Sequence, residues 1–199
     1  MTILGAVHDG HGTLLVAADS AQVNTDSHSE AATVRLVEKL SPLGEHLVWG
    51  WHGSDGRGDR IGAYLASLDA IADWPTLEDG CGPAVKNANA EGWIGAPGTR
   101  TQCLIAGLIG RRPGVLVVDA DGKTQFSDDA LFVGWGRVAA LVGWQVAKSQ
   151  ESSLSFEERF VNVMELTIAT VWGLEPPLSL WRITALGCDQ LRGLDDSSG

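Results

Sequence analysis

Long apolar runs are missing from this 199-residue chain. Nothing in it approaches the roughly 18 consecutive apolar residues of a bilayer-spanning helix, which excludes a helical integral membrane protein. The opening MTILGAVHDG has no basic segment and meets His8 and Asp9 too soon for a secretory leader, so a cytoplasmic location is expected. Positive charge is scarce as well. Fourteen Lys and Arg against 25 Asp and Glu leave a net charge of −11, and nucleic acid and anionic membrane both require a cationic footprint. Cysteine is sparse and odd in number. Cys81, Cys103 and Cys188 lie too far apart for a disulfide framework or a metal-ligand spacing, and reduced thiols are expected. Internal repeats, low-complexity tracts and interdomain linkers are also lacking. The length suits one domain, residues 1–190, followed by the polar tail 191–199, expected to be disordered.

What is present in excess is tryptophan, eight residues of it. Trp49, Trp51, Trp135, Trp144 and Trp181 stand in apolar stretches and read as core or subunit-interface residues. Alternation and turn signals mark strands at 2–8, 13–18, 33–41 and 47–52, and a helical spacing of Ile61, Leu65, Leu68 and Ile71 marks a helix over 57–74. Residues 75–100, scattered with Gly and Pro, predict at most a short helix. Strands resume at 101–109, 114–119, 124–127 and 130–134. Helices follow over 137–149 and 156–172, the second capped by Ser155 and ended by Gly173, and a last strand covers 180–186. Strands, helix, strands, helices, strand is the order of an α+β fold rather than a βαβ fold.

The first hairpin, ILGAVHDGHGTLLVAAD, is apolar on both faces, so layers must cover it on both sides. A loop of Gly10–His11, or of the four residues 9–12, pairs Thr2 with Asp19, Leu4 with Ala17 and Ala6 with Leu15. Thr2 and Asp19 then have their Cβ atoms roughly 4.5–5.5 Å apart. Removal of Met1, which the small Thr side chain favours, would give Thr2 a hydroxyl and a free α-amine on one residue. Such an amine is a recognised base for a threonine nucleophile. A nearby lysine would keep the amine neutral, and a carboxylate would orient the lysine. Whether Met1 comes off is left open by the sequence.

Quoted in order, GAVHDGHGTLLVAADSA and VEKLSPLGEHLVWGWHGS resemble the proteasome β-subunit family of N-terminal-nucleophile hydrolases, and the bacterial heat-shock peptidase of the same fold. The specific likeness covers residues 2–56; beyond it lies mainly a common order of elements. The resemblance implies a four-layer αββα sandwich and a threonine peptidase without metal or organic cofactor. It makes Thr2 the nucleophile, Asp19 the carboxylate that orients Lys39, Lys39 the lysine that tunes the amine, and Gly53 the oxyanion donor. Gln22, Trp51 and Asp55 would help line the pocket for the side chain before the scissile bond. It further implies peptide or unfolded-protein substrates, a homo-oligomeric ring of six or seven subunits, and an ATPase unfoldase as partner. One residue of slack in the hairpin also lets Ile3 align with the nucleophile; Thr2 is preferred because it carries a hydroxyl and lies across from Asp19.

Departures from the family pattern are specific. Where relatives carry a G-S-G turn, whose serine supports the amine, this chain has Gly134-Trp135-Gly136. Where relatives place an Asp and a Ser after the last long helix, GLEPPLS puts Leu174 and Pro177, with Glu175 the nearby carboxylate. These changes favour the alternative of an inactive ring or binding subunit, while the irregular segment 75–100, where relatives would have a longer helix, points to a second one, an N-terminal-nucleophile amidohydrolase acting on a dedicated small amide or precursor. Elsewhere the bland readings prevail. His8, Asp9 and His11 belong to a hairpin surface rather than a metal site, Asp119 and Asp121 serve the turn DADGK, and Ser20, His52 and Asp55 have no spacing that supports a triad.

Overall fold

The computed structural model describes residues 2–24, 33–53, 55–68, 71–90, 100–150 and 153–193, without the side chains of 21–24, 33–35 and 55. Its first half runs β1 (Ile3–His8), β2 (Leu14–Asp19), β3 (Ala21–Asn24), β4 (Thr33–Leu36), β5 (Leu40–Pro42), β6 (Leu47–His52), α1 (Asp55–Ala66) and α2 (Trp74–Ala90). The second half runs β7 (Gln102–Ile109), β8 (Arg112–Val118), β9 (Thr124–Ser127), β10 (Ala130–Gly134), α3 (Arg137–Ser149), α4 (Phe156–Thr170), β11 (Leu178–Thr184) and β12 (Gly187–Arg192). One five-stranded sheet has the order β10-β1-β2-β11-β12, another β5-β6-β7-β8-β9, and β3 pairs with β4 apart from both. All these pairings are antiparallel. The result is an α+β sandwich.

Period-2 alternation decides what each strand buries. In the first hairpin the odd residues Ile3, Val7, Leu15 and Ala17 pack with Ala140, Trp144, Phe160 and Met164 of α3 and α4. The even residues Leu4, Ala6, Leu14, Val16 and Ala18 meet Leu40, Val48, Leu104 and Val117 of the other sheet. On the far side of that second sheet, Leu47, Trp49, Ile105 and Leu116 pack with Ile61, Leu65, Leu77 and Val85 of α1 and α2. Both faces of the hairpin are covered, as its two apolar faces require. Trp144 anchors the α3–α4 layer edge-on to Phe156 and Phe160, at centroid distances of 5.7 and 6.0 Å, a favoured aromatic geometry.

Four departures from the sequence expectations have local causes. Residues 74–90 form a 17-residue helix, not an irregular segment. Trp74, Leu77, Cys81, Val85 and Ala88 make one buried stripe at helical spacing, and its packing on the second sheet outweighs Pro83 and the glycines. Gly82 belongs to the contact itself, since a Cβ there would sit 2.8 Å from the Gly122 carbonyl oxygen. The segment expected as one strand over 33–41 is broken into β4 and β5, leaving Val37–Lys39 between them. At that break the Val37 N–H donates to the Ser20 carbonyl at 2.9 Å. α1 ends at Ala66, short of the expected residue 74. Finally, the last strand is a hairpin. β12 takes in Leu191 and Arg192, where Arg192 Nη1 donates to Glu165 Oε1 at 2.8 Å, so the first residues of the expected tail are ordered in a strand. Residues 194–199 lie outside the described residues.

Candidate active site

The hairpin loop sets the geometry of everything at the other end of β1. Asp9 N–H donates to the Thr13 carbonyl at 3.0 Å, closing a three-residue loop, and the Asp9 carboxylate accepts from the N–H groups of His11 and Thr13 at 2.6 and 2.9 Å. Gly10 and Gly12 supply the positive φ angles, 78° and 104°, that such a loop demands. An odd loop shifts the register by one from either even loop expected. Leu4 pairs with Ala18 and Gly5 with Ala17, so Thr2 is not directly opposite Asp19. That correction places Asp19 beside residue 3 instead, where its Oδ1 accepts the Ile3 N–H at 2.9 Å.

The same oxygen receives Lys39 Nζ at 3.0 Å. The Asp19 and Lys39 side chains are 0% and 5% exposed. Burying two opposite charges costs several kcal/mol per ion and is recovered only with close geometry and further hydrogen bonds. Lys39 reaches Asp19 from the break between β4 and β5, which frees its backbone from both ladders. Thr2, also buried, is fixed by its carbonyl, which accepts the Trp135 N–H at 2.7 Å.

β6 brings the second sheet to this point. Gly50 faces the inter-sheet core and has no room for a side chain, since a Cβ would lie 2.7 Å from the Lys39 carbonyl oxygen and 2.9 Å from Leu4 Cδ2. His52, two residues on, shares that face, and its ring lies against Gly134. A Cβ on Gly134 would stand 2.1 Å from the Thr2 carbonyl oxygen and 3.3 Å from His52 Cγ. Burial first, and then the positive charges of the chain's amino terminus and of Lys39, pull the imidazole from its usual 6.5 down to about 4. Its Nδ1 is buried and has no hydrogen-bond partner among the described residues. Gly53 follows with φ 127°, and a Cβ there would lie 2.6 Å from the Arg100 carbonyl oxygen, so the position admits glycine alone.

Asp19 and Lys39 therefore meet the start of β1 beside Thr2, and Gly53 follows His52 at the end of β6, against Arg100 and Thr101. Trp51 does not join them. It lies on the opposite face of β6, stacked on Trp49 at 5.4 Å and against α1, where a Cβ on Gly58 would meet its Nε1 at 2.4 Å. Alternation in LVWGWH accounts for this: the two tryptophans share one face and His52 takes the other. Gln22 falls in β3 and Asp55 opens α1, but their side chains lie outside the described residues. His52 is the group that sequence reasoning set aside, and that same alternation is the signal that finds it.

The departures noted in the sequence are equally plain here. Trp135 is 53% exposed and offers the site its backbone N–H, with no side-chain hydroxyl. Leu174 is buried in the core under α4, and the Glu175 side chain is exposed, so Glu175 does not stand in for an inward carboxylate. The segment touches the site through its backbone: Ser20 N–H donates to the Glu175 carbonyl at 3.3 Å, and Ser20 Oγ donates to the Pro177 carbonyl at 2.7 Å.

A thiol nucleophile is disfavoured. Burial pushes Cys81 up to about 12 and Cys188 up to about 11, and raises Cys103 as well, so none supplies a thiolate at neutral pH. Among the described residues no group of three or more His, Cys, Asp and Glu is placed to hold a metal ion, and no helix is long and apolar enough to cross a membrane. Compared with known proteins, the chain matches no family model and no curated sequence.

Proposed function

We propose that this chain is an N-terminal threonine hydrolase of the proteasome β-subunit type, acting on peptide bonds once Met1 has been removed. The observation that carries the reading is the buried Lys39–Asp19 pair, whose shared oxygen also holds the N–H of the residue next to Thr2. A buried ion pair is a poor way to gain stability, so one this fully enclosed points to a task other than holding the fold. In the proposed reaction Thr2 Oγ attacks a peptide carbonyl carbon and passes its proton to the Thr2 amine. The Lys39 charge keeps that amine deprotonated, and the Gly53 N–H receives the oxyanion. The amine returns the proton to the leaving nitrogen, and water then hydrolyses the Thr2 ester.

The finer architecture that goes with this reading is the four-layer αββα sandwich. A cytoplasmic homo-oligomeric ring, unfolded-protein substrates and an ATPase unfoldase belong to the proposal on resemblance alone. A second reading, an inactive subunit, is favoured by two specific features: the register sets Ile3 rather than Thr2 against Asp19, and Trp135 stands where a supporting serine would. Intact mass and reaction with a peptide epoxyketone, which needs a hydroxyl and an amine on one residue, separate the two. The hydrolase reading expects a chain beginning at Thr2 and an adduct that Thr2→Ala abolishes. Retained Met1, no adduct from the processed wild type, or an adduct that survives Thr2→Ala refutes it.

A further inference from the structure

The following inference rests on the hydrolase reading and concerns what holds the Thr2 amine. A free amine in a buried site must be oriented so that its lone pair meets the hydroxyl, and the groups that would do this in relatives are absent. Trp135 brings no hydroxyl, Leu174 is in the apolar core, and Glu175 points to solvent. His52 is in the right place for the task. It projects from the inter-sheet face of β6 and rests on Gly134, the same glycine that the Thr2 carbonyl touches. Its Nδ1 is buried without a partner among the described residues, and a buried acceptor left unpaired is costly enough that native proteins rarely leave one. The charged groups acting on it are Lys39 and, in the unprocessed chain, the amino terminus that Met1 carries, with Asp19 behind Lys39. From β7 its register partner is the uncharged Gln102, and the β10–α3 turn presents the backbone of Gly134.

We propose that His52 is the positioning residue of this site: its Nδ1 accepts a hydrogen bond from the Thr2 α-amine and fixes the amine lone pair toward Thr2 Oγ. The imidazole stays neutral throughout. As the Oγ–carbon bond forms, the hydroxyl proton moves to the amine and the carbonyl electrons move to oxygen. As the carbon–nitrogen bond breaks, the amine hands that proton to the leaving nitrogen. His52 accepts an N–H in both states and takes no proton. Burial and the neighbouring Lys39 charge suit it to this, because they keep its lone pair available across the working pH range.

The test uses the full-length chain with Thr2 exposed, as verified by intact mass, and follows the rate of peptide-epoxyketone adduct formation against pH. His52→Leu keeps bulk and removes the acceptor; His52→Gln keeps both bulk and an acceptor oxygen. His52→Leu is expected to slow adduct formation roughly tenfold, about the worth of one hydrogen bond to a charged group. It is also expected to move the acidic limb of the profile to lower pH, since the ammonium form loses a stabilising acceptor. His52→Gln should recover most of the rate and the limb. Equal losses in both variants, or no change in His52→Leu, overturn the assignment while the Thr2→Ala control leaves the hydrolase reading standing. An adduct that survives Thr2→Ala overturns both. If the variants do not fold, nitrogen-15 spectra of wild-type histidine decide: the Nδ1 resonance of His52 must respond as the amine titrates, and an indifferent resonance refutes the proposal.

Discussion

Replacing His52 with Gln should flatten the acid limb of the protein's stability curve, whatever Thr2 does. In the fold the imidazole is held near 4 instead of 6.5, by burial first and then by the charges of the amino terminus and Lys39. The unfolded chain therefore binds this proton more readily than the folded one. The sign follows directly: His52 costs nothing above about pH 6.5, and stability is lost progressively as pH falls from there toward 4, where the loss levels off. A drop of that size corresponds to about 3 kcal/mol, a large share of the roughly 5–15 kcal/mol by which a domain is stable. Urea midpoints measured at a series of pH values, for wild type and His52→Gln, give the effect as a difference curve. The carboxylates titrate in both proteins and cancel. The difference should open below about pH 6.5 and reach most of its extent near pH 4. Curves that stay parallel through this window would refute the placement of a neutral, confined imidazole beside Lys39.

Lys39→Met should destabilise the fold by about 3–5 kcal/mol, because it leaves the Asp19 carboxylate buried without its cation. Adding Asp19→Asn should restore part of that loss, and urea unfolding of the two single variants and the double variant reads the coupling; simple additivity would argue against a shared buried pair. Gly134→Ala should disable the site more than it weakens the fold. Its Cβ would press on the Thr2 carbonyl oxygen at 2.1 Å, at a φ of 91°, so Thr2 must move for the chain to accommodate it. Adduct formation with a peptide epoxyketone, compared with the urea midpoint, checks the split.

Much of the fold was legible because alternation and helical spacing are local signals. β10 and α3 fall on the residues expected, as does the Ser155 cap of α4, whose Oγ accepts the Glu158 N–H at 3.2 Å while the Ser155 N–H donates to Glu158 at 2.7 Å. α2 was hidden because its glycines and Pro83 speak against a helix in isolation. The opposing force is burial of five side chains on a sheet whose nearest strand, β7, begins twelve residues further on, and no local propensity encodes that packing. The break before Lys39 was invisible for a related reason. Thr33, Val34, Leu36, Val37 and Leu40 carry a strand-like pattern across the break, and the bond that interrupts it runs from Val37 to Ser20.

The site turns on a single residue of register, and the loop sets it. Either even loop for DGHG puts Thr2 across from Asp19. The Asp9 side chain instead favours an odd loop by binding two backbone N–H groups, with Gly10 and Gly12 absorbing the positive φ angles. Because side chains alternate, one residue of slip exchanges faces. Asp19 accordingly takes the odd parity of Leu15 and Ala17, with Ile3, while Thr2 takes the even parity of Leu4 and Ala6 that points between the sheets. What joins Thr2 to Asp19 is thus not a cross-strand pair. Asp19 grips the backbone next to Thr2 and Lys39 together, and the inter-sheet side that Thr2 faces is the side from which His52 approaches. The slip that removes the expected contact is therefore also what makes a histidine, turned to the same side by the alternation of β6, the side chain best placed to serve the threonine.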